Sequence, residues 1–143
     1  MLEKLSVSKY LKVNYFSEHK TLTLEATEDY LPPEAFKKDF KEILKFSEKE
    51  SIRNLIFDKS NLDVFHQKSM EWYFVEITPG LFENGLQRFY KVLPNKPWFN
   101  LDLILKSTAQ IKREHPEVNF SEFDSTYVPS VEYAMNLIEA DLT

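Results

Sequence analysis

From Tyr10 to Phe16 the chain alternates: Leu11, Val13 and Tyr15 fall on one side, Lys12 and Asn14 on the other. After the polar stretch Ser17 to Lys20, alternation resumes with Leu22, Leu24 and Ala26 against Thr21, Thr23 and Glu25. Period two on both sides of a short polar loop predicts a hairpin of two half-buried strands. Pro32-Pro33 then opens a helix, because a proline's fixed φ suits the first turn. Its apolar stripe is Phe36, Phe40, Ile43 and Leu44, with Lys37, Lys38, Lys41 and Lys45 on the solvated face. Leu55-Ile56-Phe57 is apolar at every position, which suits a central parallel strand covered on both faces. Lys68 to Thr78 predicts a helix stopped by Pro79-Gly80, and Leu86 to Leu93 a strand ended by Pro94. Asn100 caps a helix with the stripe Leu101, Ile104, Leu105, Thr108 and Ile111. Lys112 and Arg113 complement its dipole in the last turn, and Pro116 ends it. Glu117 to Phe120 is predicted as a short strand. A helix from Ser130, striped by Val131, Ala134, Met135, Ile138 and Leu142, closes the chain.

The resulting order is β-β-α-β-α-β-α-β-α. Strands alternating with helices after an initial hairpin imply an α/β fold: a single domain over residues 1–143, with a mixed, mostly parallel five-stranded sheet flanked by about four helices.

Composition narrows what such a domain does. The 143 residues are enough for a real core, and an aromatic share of 15% excludes a disordered chain. Two glycines leave no material for a Gly-rich phosphate loop. A net charge of −5 argues against a nucleic-acid partner, which needs a basic face. The absence of cysteine removes disulfides, thiolate nucleophiles and zinc–thiolate sites. No run approaches the roughly 20 apolar residues of a membrane span, and the first residues lack a signal-peptide core. The expectation is a soluble, cytoplasmic protein.

The stretch from Phe57 to Phe74, FDKSNLDVFHQKSMEWYF, holds the chemistry to be weighed: a strand-end acid, a polar loop, then an aromatic-rich helix. Together with the element order and the closing strand–helix unit ending in Ala134 and Leu137, it resembles the STAS superfamily, typified by bacterial anti-sigma-factor antagonists. The resemblance covers about Tyr10 to Leu142. In the switching members of that family an Asp-Ser-Ser/Thr-Gly motif opens the helix, and its serine accepts phosphate. The added charge reorders or repels the partner. Aligning Asp58 with the family's strand-end acid lays the motif over His66-Gln67-Lys68-Ser69, so the acceptor position falls on Gln67 or Lys68. Ser69, one place later, is the candidate phosphoacceptor that remains. The resemblance therefore implies a regulatory interaction module that lacks the phosphoacceptor motif.

Asp58, His66 and Ser60 or Ser69 also form a nominal catalytic set. A nucleophilic serine would need a base within about 3 Å and an oxyanion hole, and no G-x-S-x-G elbow is present to expose it. Ser69 reads instead as a helix-start residue accepting a backbone N–H. His19, His66 and His115 lie in separate loops or ends, with no metal-motif spacing. No catalytic residue, metal or cofactor is assigned, and the protein is expected not to be an enzyme.

The helix from Lys68 to Thr78 is apolar on two sides. Met70, Tyr73, Phe74 and Ile77 form the stripe expected to face the core. At about 100° per residue, Trp72 lies roughly 200° from Met70, and Trp72 and Val75 sit on the far side between Glu71 and Glu76. Either the loop from Pro94 to Phe99, with Trp98 and Phe99, covers Trp72, or a partner does. The candidate interaction surface is therefore Trp72, Val75, Glu71 and Glu76, met by a protein partner or by a second copy in a homodimer. The alternative is a domain that binds a small apolar or lipid-like ligand between its aromatic-rich helices and the sheet.

Overall fold

The computed structural model of the chain describes residues 2–4, 9–63, 67–94, 101–118 and 125–141. The hairpin forms as its alternation dictates. Strand β1 (Leu2–Lys4) pairs antiparallel with β2 (Leu11–Phe16), which pairs antiparallel with β3 (Thr21–Ala26). Strands β4 (Asn54–Asp58), β5 (Arg88–Val92) and β6 (Ser125–Tyr127) follow, each parallel to the one before. The spatial order β1-β2-β3-β4-β5-β6 is the chain order. The α/β fold is thus a mixed sheet in which the short β1 joins five strands at the hairpin edge.

Helix α1 (Pro33–Lys49) begins at Pro33 and buries Phe36, Phe40 and Ile43, leaving Lys37, Lys38, Lys41 and Lys45 exposed. Its stripe meets Leu22, Leu24, Leu55, Phe57 and Phe89 on one face of the sheet. Phe40, fully buried, is the hub: its ring centroid lies 4.7 Å from Phe36, 5.6 Å from Phe57 and 4.7 Å from Tyr73. Helix α5 (Val131–Asp141) packs Ala134 and Ile138 on the opposite face, against Ile56, Tyr90 and Val92. The β4 run is consequently covered on both sides, and Leu55, Ile56 and Phe57 are each at most 1% exposed. Ser130 caps α5, its Oγ accepting the Tyr133 N–H at 3.0 Å.

Three expectations are corrected. The segment predicted as one helix from Lys68 to Thr78 is α2 (Gln67–Trp72), a π turn (Tyr73–Ile77) and α3 (Thr78–Glu83), so Pro79-Gly80 continues it. The Thr78 N–H reaches back five residues to the Tyr73 carbonyl, and its hydroxyl donates to the same oxygen at 3.1 Å. Pro79, which has no N–H to place, then starts a fresh α segment. Gly80 packs closely on α1: a Cβ there would lie 2.9 Å from Leu44 Cδ1, so a larger residue would displace that side-chain tip. Of the strand read at Glu117 to Phe120, Glu117 and Val118 form a turn and bend, and Asn119 and Phe120 lie outside the described residues; β6 comes later. Helix α4 (Leu101–Glu114) buries Ile111 but leaves Leu105 47% exposed, so its apolar stripe is narrower than read.

Candidate functional site

The loop after β4 is held by local bonds. Asp58 Oδ1 accepts the Ser60 N–H at 2.9 Å, and Leu62 N–H closes a turn on the Lys59 carbonyl at 3.0 Å. Asn61 Nδ2 donates to Ala26 O at 3.0 Å and Asp63 N–H to Asp29 O at 2.7 Å, tying this loop to the one after β3. Asp58 thus has a loop-tethering role. His66 lies outside the described residues. Ser69 is in the first turn of α2 and only 5% exposed, so its hydroxyl is closed to an enzyme acting from solvent.

The proposed surface residues sit at the junction of α2 and the π turn. Tyr73 and Ile77 are buried as the core stripe requires, whereas the side chains of Met70 and Phe74, like Trp98 and Phe99, are outside the described set. Trp72 is half-buried against α1: its ring stands edge-on to Phe36 at 6.2 Å, and the Lys37 ammonium lies 5.8 Å from its centroid. Phe36 touches Tyr73 as well, at 5.8 Å, so it wedges between two consecutive aromatic rings. Val75 is half-buried and Glu76 exposed. A uniform 100° count from Met70 does not carry past Tyr73, because a π turn takes more residues per revolution.

Glu71 has a partner that sequence spacing did not reveal. His115, just past α4, places Nε2 2.7 Å from Glu71 Oε1 and Nδ1 3.1 Å from Glu117 Oε1. The Glu71 hydrogen bond first, then that of Glu117, raises the His115 pKa above its ordinary 6.5. Glu117 is held below the usual carboxylate range, first by its own backbone N–H and then by His115. A raised histidine stabilises the fold fully below about pH 6.5 and loses that contribution as pH rises through the folded value. Denaturant midpoints should therefore favour the parent over His115→Gln at pH 5.5, with the advantage shrinking by pH 8.5. An advantage that grows with pH would contradict the pairing.

The sequence reading also passed over two buried lysines. Lys59 follows β4, its N–H on Val92 O at 2.8 Å, and Lys91 lies within β5; they are 6% and 3% exposed. Both ammonium groups lie over aromatic rings, Lys59 Nζ 4.9 Å from Phe57 and Lys91 Nζ 5.1 Å from Phe89. Burial and then the Lys112 charge push Lys91 down to about 8, and burial and then Lys91 push Lys59 well below 10.5. An amine in that range carries a neutral, nucleophilic fraction near neutral pH. The signal was in RFYKVL, where period two sets Lys91 on the same face as Phe89.

Among the described residues there is no group of three or more His, Asp or Glu placed to hold a metal, and no helix long and apolar enough to cross a membrane. No family model matches the chain, and no curated protein matches it.

Proposed function

We propose that this chain is a non-catalytic regulatory interaction module of STAS-like architecture, working through the outer side of α2 and the π turn. The π turn at Tyr73–Ile77 carries the reading. Such turns are rare and concentrate at functional sites, and this one holds Val75 and Glu76 outward beside the half-buried Trp72. The β-β-α-β-α-β-α-β-α order behind the resemblance supports it. The burial of Ser69 supports a module that acts without phosphate at that position. A small apolar ligand has less support, since the cavity where β3, β4 and β5 begin is lined mostly by charged and polar side chains.

The contact is made with a second copy, the surface meeting itself across a two-fold axis. In sedimentation the parent should run as a dimer and Val75→Glu as a monomer with an unchanged far-UV spectrum. Trp72→Glu should dissociate too, and lose about 1–2 kcal/mol of stability with its Phe36 and Lys37 contacts. A parent that stays monomeric at tens of micromolar would sink the self-contact.

A further inference from the structure

At the opposite ends of the strands from α2, the segments entering β3, β4 and β5 are stitched side by side. Lys20 O accepts the N–H groups of Arg53 at 2.8 Å and Asn54 at 3.2 Å, and Arg53 O accepts those of Gln87 at 2.8 Å and Arg88 at 3.0 Å. Thr21, Asn54 and Arg88 are register neighbours, so three cations, Lys20, Arg53 and Arg88, are brought onto adjacent backbone segments. Between these segments and Ile138 of α5 lies a cavity of about 240 Å³. Its lining holds those three cations and the carboxylate Glu18, with a second carboxylate, Glu139, 3.7 Å from the lining His19.

Two details mark it as more than a gap. Lys20 has φ +52°, a conformation that residues with a side chain rarely adopt, yet the position carries a lysine. The lining also contains His19, whose Nδ1 is shut off from water and has no hydrogen-bond partner, while Nε2 is 3.7 Å from Glu139 Oε1. The Asn54 amide is engaged by His19 O at 3.2 Å and Thr21 Oγ1 at 3.3 Å, which braces the turn.

We propose that this cavity binds a phosphate group. Guanidinium forks match phosphate oxygens two at a time, and a lysine adds a point charge. The volume is below the roughly 300–1,000 Å³ of drug-sized pockets, so the ligand is inorganic phosphate or a small phosphomonoester, with its carbon part against Ile138. The site lies away from the α2 surface and its test does not depend on oligomeric state.

The test is calorimetry and thermal melting with inorganic phosphate and with glycerol 2-phosphate, each against chloride at equal ionic strength. The parent should bind phosphate and melt higher in it than in chloride. Arg53→Gln should weaken binding about tenfold or more, the scale of one charged hydrogen bond. Lys20→Gly should weaken it similarly while melting no lower than the parent without ligand, because glycine accepts the +52° φ more readily. Tighter binding of the ester identifies a phosphomonoester site, and equal binding a free-phosphate site. No binding beyond chloride, or unchanged affinity in both variants, overturns the proposal.

Discussion

Phe57→Asp is expected to leave the chain unfolded. Phe57 is 1% exposed on the central strand β4, with Phe40's ring at 5.6 Å. Removing the ring alone costs about 3–5 kcal/mol, against total stabilities of roughly 5–15 kcal/mol. The new carboxylate must also leave water. Lys59 Nζ lies 4.9 Å from the ring it replaces, so an ion pair is within reach. A buried pair seldom recovers the desolvation of both charges, and the ring's volume stays empty. Phe57→Leu, apolar and only smaller, should fold with a loss of about 1–2 kcal/mol. Circular dichroism and a denaturant melt distinguish the two. An aspartate variant melting like the parent would mean β4 is not interior.

The second large effect is a pH dependence owed to Lys91. Its folded pKa is about 8 against an ordinary 10.5. Between those values the unfolded chain binds a proton that the folded chain does not, so stability rises with pH across that window. The cost of keeping the amine buried is complete below pH 8 and gone above 10.5. The gap corresponds to roughly 3 kcal/mol at most. Denaturant midpoints of the parent and Lys91→Met should be compared at pH 7.5 and 10. The parent should gain on the variant by a sizeable fraction of that figure as pH rises. A constant difference would show that Lys91 titrates normally.

Much of the fold was legible because the relevant signals are local. The alternation of Leu11 to Tyr15 and Leu22 to Ala26 specifies the hairpin, and three consecutive apolar residues mark β4. The stripe Phe36–Phe40–Ile43 places α1. What failed depended on partners distant in sequence. Pro79-Gly80 reads as a stop because Leu44, against which the glycine packs, lies on another helix. The role of Glu71 waits on His115, 44 residues away. The strand Ser125–Tyr127 is only three residues long and its residues are half-buried or exposed, so no hydrophobic pattern announces it. The cationic cavity was invisible for the same reason: Lys20, Arg53 and Arg88 become neighbours only through strand register.

A sheet whose spatial order repeats its chain order has a consequence for how it is made. Every strand docks on the one synthesised just before it, and no strand has to be inserted between two already paired. The hairpin, α1 and β4 span Leu11 to Asp58, so the sheet can begin while later elements are still on the ribosome. At about 5–20 residues per second, that unit emerges within seconds and then offers a single growing edge to β5, then β6. Each parallel pairing still closes a loop of more than 30 residues, Thr21 on Asn54, Asn54 on Arg88 and Phe89 on Ser125, and such non-local closures slow folding. The growing edge moves along with synthesis, so on that side the template for mispairing is one strand wide at each stage, while the β1 side stays the same throughout.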